Sequence, residues 1–423
     1  MRDERVGQPS VLEIVMMLTK KMMYAVLAFS LIIFLTTAAT PLLQAQKQAK
    51  DQQEYELITK AFGTQPSAAL IELLDQWKEK YPETAFDLER LQLYMQSYGA
   101  TGQTQMAVDT ARLIVDTKAP KNFLAHNTIV SSARALGKTD SSTLNTAKSS
   151  AVLMLDSLIN TQFANKPAQV PQEQWDTVKN TVTVTAHQAL AWIATQNKDH
   201  SKAAGHLNDA LDVDENNGLA SYELAQAVQN GAKTAEELTY VMFSYARAVV
   251  VDGPGALNDQ ARTGLKKYLT EFYAKFAGTQ EGLEDLFAAA KESARPPEGF
   301  AAIKSAATRE YEAQVAFKKN DPLRYEFVQL KKLLSQPTDP TWGKLRGKLT
   351  PKFRLFVVSA TPARAPNKLM LTSTRGGNAE VTVNLTNRMR SAPTRGSRVT
   401  FQGVATTLTR SPFMLVLNDS KTE

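Results

Sequence analysis

Four histidines are the first residues of this chain that could do chemistry: His126, His187, His200 and His206. None forms the i, i+4 pair that places two imidazoles on one helix face, and no carboxylate spaced along the chain completes a set, so no metal site is expected. Asp212, Asp214, Asn216 and Glu223 occupy positions 1, 3, 5 and 12 of a calcium-loop spacing, but position 6, which needs glycine, is Asn217. A plain turn between two helices accounts for the same stretch. There is no cysteine, which removes disulfides, thiolate ligands, cysteine nucleophiles and a lipidated cysteine together. Ser30 and Ser359 lack the glycine-flanked turn of an activated serine, and no glycine-rich phosphate loop occurs. Paired catalytic carboxylates need no local motif, and nothing in the chain favours them. The expectation is a non-enzymatic protein without a cofactor.

The charge is informative because it is uneven. Residues 343–410 hold thirteen basic residues against one acid, Glu380, a balance of +12 within a chain of net charge +7; the rest therefore carries −5. Any polyanion would meet this end of the molecule. Candidate contacts there are Arg346, Lys348, Arg354, Arg388, Arg390 and Arg398.

Those side chains need a frame. Residues 1–45 read as a preface and an export segment. Lys20 and Lys21 precede an uncharged run over residues 22–39, followed by Pro41 and the small-residue exit Leu43-Gln44-Ala45. The run is also about the ~18 residues that span a bilayer, so cleaved signal and retained anchor both remain open. Lysines before the run keep that flank inside, which places the body outside the cytoplasm in either case: periplasmic, or membrane-anchored.

From about residue 53 to 287, apolar residues recur at helical spacing, and residues 50–295 are assigned to a helical domain. Leu70-Ile71-Leu73-Leu74-Trp77 stops at Pro82, which cannot continue a helix. Tyr98, a turn at Gly102, and Ala107 follow as aromatic, turn and small residue of a helix pair. Later, Ala203 and Ala210 take the small positions of a second pair, with Asp199 at its turn. This pattern resembles tetratricopeptide repeats, although Leu91, Met95 and Glu215 stand where the motif has tryptophan, glycine and proline. The resemblance implies roughly four to six stacked helix pairs and a partner-binding concave face. Tyr245-Ala246-Arg247-Ala248-Val249, Phe276-Ala277-Gly278 and Pro296-Pro297-Glu298-Gly299-Phe300 are similar to exported repeat proteins of soil bacteria that end in a small β domain. That resemblance implies architecture and no activity.

Pro296-Pro297 begins a linker with one further helical segment, over residues 296–341. Residues 342–423 change to period two, with strands expected at 345–349, 354–359, 368–372, 379–385, 398–404 and 413–417. A small OB-like barrel fits, with an open sandwich as the competitor. Phe353, Phe356, Phe401 and Phe413 are its aromatics. Strand alternation puts Phe356 with Val358, and Phe401 with Gly403, in the core rather than on a stacking platform. The predicted fold class is α+β in separate domains: a helical-hairpin array, then an all-β barrel.

Two functions compete. One is a cell-envelope scaffold or adaptor that binds an unknown protein partner on the helical array. The other is a binding module whose basic barrel docks to an anionic polymer, lipid headgroups or nucleic acid; an exported barrel meets the first two far more than the third.

Overall fold

A computed structural model describes residues 47–253 and 255–423. The expected export segment lies outside the described residues. Among them, no helix is long and apolar enough to cross a membrane. The chain forms two compact units that divide between Ser305 and Ala306.

The first unit is helical throughout. Its helices are α1 (Gln52–Phe62), α2 (Ala68–Lys80), α3 (Asp87–Ala100) and α4 (Thr104–Leu113), then α5 (Phe123–Leu136) and α6 (Ser141–Leu153). The chain continues with α7 (Gln172–Gln196), α8 (His200–Val213), α9 (Gly218–Gln229), α10 (Ala235–Val250), α11 (Asp259–Ala277) and α12 (Leu283–Glu292). Both α4 and α6 run on through a π turn, Ile114–Lys118 and Met154–Leu158. The starts are written in the sequence. Asp51, Ser67, Asn122, Asp140, Asn217 and Asn258 each accept the backbone N–H three residues on, which satisfies a donor the helix itself leaves open. Thr234 and Glu237 do so reciprocally. The α2 helix ends at Lys80, before Pro82.

Successive helices bury apolar faces against their neighbours, so the interior is a string of local clusters. Trp77, Leu70 and Leu74 fill the one around α1 to α3. Val184, Ala191, Ala203, Leu207 and Leu224 fill that of α7 to α9, and Met242, Phe243, Tyr245, Leu269 and Phe287 that of α10 to α12. This is the packing of a repeat-like array, in which each element is stabilised mainly by the next. Residues 300–303, expected as linker, lie against α10: Phe300 meets Phe243 edge-on at 5.5 Å, and the Ile303 N–H donates to Thr239 Oγ1 at 2.8 Å.

The second unit begins with helices rather than strands. The one helical segment expected within residues 296–341 breaks into α13 (Ala306–Asn320) and α14 (Pro322–Leu334). Pro322 explains the break. It has no N–H to donate into α13, but it suits the first position of a new helix. After a short α15 (Thr341–Leu345) come β1 (Phe353–Thr361), β2 (Lys368–Thr372), β3 (Val381–Leu385), β4 (Arg398–Arg410) and β5 (Phe413–Thr422).

The strands close in the order β1-β2-β3-β5-β4, with β3 and β5 parallel and every other pair antiparallel. A closed OB-like barrel therefore replaces the open-sandwich alternative. Phe353, Leu355, Val357, Leu369, Leu371, Val381, Val383, Phe401 and Leu417 point inward, and Phe327 and Leu334 of α14 join them. The expected strand at 345–349 does not form. Its first residue ends α15, and Gly347 takes φ +73°, a turn conformation. The segment still follows β4 through Gly347 N–H to Ala405 O (2.8 Å) and Ala405 N–H to Lys348 O (3.0 Å).

Candidate functional site

The helical array brings distant side chains to common faces. Arg134 of α5 pairs with Glu223 of α9. Next to this pair, Gln226 donates to the Tyr222 hydroxyl (2.7 Å), Gln229 donates to the Tyr268 hydroxyl (3.1 Å), and Tyr245 donates to Gln229 Oε1 (2.6 Å). Burial pushes the Tyr222 phenol up to about 12, and Tyr245 is shifted upward by the same cause. Tyr222 and Tyr245 are buried, whereas Gln226, Gln229 and Tyr268 are only partly covered.

The residues expected at repeat positions take these places. Tyr98 stacks on Tyr94 at 5.7 Å, and Gly102 turns the chain at φ +76°. Ala107, Ala203 and Ala210 are all but fully buried. Their small side chains let adjacent helices approach.

The calcium-loop spacing does not build a cation site, because its oxygens are already engaged. Asp212 pairs with Arg295 at 2.7 Å, and Asp214 accepts the Asn216 N–H at 3.1 Å. Asn216 Oδ1 accepts from Arg247 at 2.8 Å, and Glu223 belongs to Arg134. A guanidinium sits where a cation would. Arg247 also donates to the carbonyls of Ala290 (2.9 Å), Lys291 (2.8 Å) and Glu215 (3.2 Å), tying the end of α12 to the α8–α9 turn.

The histidines separate into two kinds. His126 is a core residue: its Nε2 donates to Pro120 O (2.8 Å), which leaves Nδ1 to accept from Ser150 Oγ (3.0 Å). His187 on α7 and His206 on α8, by contrast, converge on Asp209. Their Nδ1 atoms lie 3.6 and 3.7 Å from Asp209 Oδ2. Donor atoms of all three residues fall within 4.8 Å of one another, a set able to hold a metal ion. A search for i, i+4 spacing along the chain misses this group, and the expectation that no carboxylate completes a histidine set is corrected here. The available signal is the hairpin itself. His187 and Asp209 each stand eleven residues from Lys198, which turns the chain at φ 59°. Burial holds the His187 imidazole below its usual pKa; Asp209 pulls upward against this, and His206 adds to it.

In the barrel, the six basic candidates fall at three places. Arg354 and Arg398 are on β1 and β4, where Arg354 faces Thr400 and Phe356 faces Arg398. Arg346 and Lys348 flank the segment hydrogen-bonded to Ala405, seven residues along β4 from Arg398 and so roughly 20 Å away. Arg388 and Arg390 are exposed in the β3–β4 connection, where Met389 N–H donates to Pro366 O (2.9 Å). Arg398 is also engaged, 3.7 Å from the buried Asp321 and over the Phe356 ring at 5.4 Å.

The four aromatics are occupied as well. Phe353 and Phe401 fill the barrel. Phe401 points into the barrel as expected, whereas Gly403 lies at a register shift against Asn418 and Ser420 of β5. Phe356 with Val358 is corrected, because β1 turns Phe353, Leu355 and Val357 inward and Phe356 outward. Phe356 is buried nonetheless, beneath the guanidinium groups of Arg324 (5.3 Å) and Arg398. Phe413 lies under Lys331, which pairs with Glu380 at 2.7 Å. Burial alone would raise the Glu380 pKa, but Lys331 and Ser373 hold it below the usual carboxylate range. Lys368, Met370, Thr382 and Asn384 meet across the β2–β3 pair, the face OB barrels use for ligands, without an aromatic among them. No protein-family model matches this chain, and no curated protein matches it either.

Proposed function

We propose that this protein is a non-enzymatic scaffold of the cell envelope, exported through its N-terminal apolar segment, whose helical array receives a partner protein or peptide. One observation carries the reading: the half-buried polar surface beside Arg134 and Glu223. There Gln226 and Gln229 of α9 and Tyr268 of α11 offer hydrogen-bonding and aromatic contact. Amphipathic side chains of this kind, held by their neighbours, suit recognition of an extended peptide or a helix. The buried Ala107, Ala203 and Ala210 support reading the helix pairs as tetratricopeptide-like repeats.

A second reading gives the barrel the leading role. It is favoured by the +12 balance of residues 343–410, with Arg388 and Arg390 exposed in one connection. An anionic envelope polymer or lipid headgroups would be its ligand.

One experiment separates the two. A photo-crosslinking residue is placed in the full chain at Gln226 or at Arg388, in cells, and the adducts are identified by mass spectrometry. The scaffold reading expects a protein adduct at Gln226 that survives added salt. Adducts found only at Arg388 and lost with salt would favour the barrel, since exposed charges are screened. No adduct at either position would sink both.

A further inference from the structure

We propose that His187, His206 and Asp209 form a binding site for one divalent late-transition-metal ion, best met by Zn2+, that clamps α7 to α8 at mid-length. The proposal does not depend on the scaffold reading.

Three observations carry it. The first is spacing. Ligands at 2.0–2.1 Å from a tetrahedral Zn2+ are about 3.4 Å apart. Both Nδ1 atoms stand within a few tenths of an ångström of that separation from Asp209 Oδ2, at 3.6 and 3.7 Å. These contacts are too long to be hydrogen bonds.

The second is the state of the imidazole nitrogens. Nδ1 of His187 and Nδ1 of His206 are both shielded from solvent and have no hydrogen-bond partner. A buried polar atom left in this way is costly, and a metal ion accepting its lone pair removes the cost. His126, whose two nitrogens are both satisfied, shows what a purely structural histidine looks like in this fold.

The third is the donor chemistry and its framework. Two imidazoles and one carboxylate select zinc, copper or nickel over the hard cations calcium and magnesium. His206 and Asp209 are one helical turn apart on α8, and His187 faces them from α7. Ala191, Ala194, Ala203 and Ala210 pack the two helices closely, which holds the ligands in register. Asp209 is half exposed, which gives an ion a way in. Three protein ligands leave one coordination position for water or for a side chain of a partner.

The test uses the full chain, stripped of metal with a chelator. Co2+ is titrated while its visible d–d absorption is followed, and Zn2+ is then added to displace it. The expected result is one ion per chain, intense tetrahedral bands, displacement by Zn2+, and no displacement by Ca2+ or Mg2+. His206→Gln and Asp209→Asn are each expected to weaken binding at least about tenfold, since loss of an outer partner alone typically costs 10–100-fold. Zn2+ should raise the Tm of the native chain but not that of Asp209→Asn, because an ion bound only by the folded state stabilises it. Asp209 is exposed enough that its replacement by Asn leaves the fold intact, which circular dichroism checks. A native chain that gives no Co2+ spectrum, or a H206Q/D209N double variant that binds as the native chain does, would overturn the assignment.

Discussion

Arg134 on α5 and Glu223 on α9 form an ion pair between residues 89 positions apart, with side chains only 21% and 12% exposed. Elements separated by three intervening helices are thereby fixed against each other by a contact much drier than an ordinary surface salt bridge. Arg134→Met and Glu223→Gln, alone and combined, should show a coupling of about 0.5–3 kcal/mol in chemical unfolding. Strictly additive effects would mean that the pair holds nothing together.

Glu54 makes a comparable contact at the other end of the array. It is fully buried, and accepts the Trp77 indole N–H at 3.2 Å and the Lys50 backbone N–H at 2.6 Å. Burial alone would raise its pKa, but the bonds from Lys50, Thr84 and Trp77 hold it below the usual carboxylate range. A carboxyl whose folded pKa is depressed contributes stability that is present above its unfolded value of about 4.3 and is lost as the pH falls through the folded value. Glu54→Gln should cost about 1–3 kcal/mol at pH 7 and should flatten the acid limb of a Tm-against-pH curve. An unchanged acid limb would show that Glu54 does not ionise differently on folding.

Arg247 offers a test of geometry rather than charge. Its planar fork donates to three carbonyls and to Asn216 Oδ1 at once, which an ammonium group cannot do. Arg247→Lys keeps the charge, yet is expected to destabilise by about 3 kcal/mol or more. Amide exchange should quicken at the C-terminal end of α12. Wild-type protection there in the lysine variant would contradict this.

Gly403 lies on β4 against Asn418 and Ser420 of β5. A Cβ built there would run into Ser420 Oγ and stand 3.0 Å from Asn418 O. Gly403→Ala should therefore lower barrel stability by about 1–3 kcal/mol through overpacking. Adding Ser420→Gly removes the nearer clash and should recover part of the loss. If the single variant melted like the native chain, the close approach would be refuted.

Much of the fold was legible along the chain because its determinants are local. Caps such as Ser67 and Asn217 sit beside the helices they start, Pro82 beside the helix it ends, and the change to period two after Trp342 announces the barrel, whose first strand begins at Phe353. Strand faces were legible only in part. Alternation puts Phe356 in the core, whereas Phe353, Leu355 and Val357 fill the barrel and Arg324 and Arg398 cover Phe356. The candidate site was less legible still. His187 and Asp209 come from different helices, and a one-residue change in the hairpin turn would rotate them apart.

By itself, the sequence determined the order of the two structural classes, some helix ends such as the one before Pro82, the absence of cysteine chemistry and the basic C-terminal end, since composition and short-range periodicity are enough for these. Only the tertiary structure decided that the strands close as β1-β2-β3-β5-β4, that the calcium-like spacing is taken up by Arg247, Arg295 and Arg134, and that two histidines share one aspartate. Each of these depends on which helix or strand lies beside which. Side chains tens of residues apart become neighbours only when apolar faces pack, and that packing is a property of the whole chain rather than of any segment.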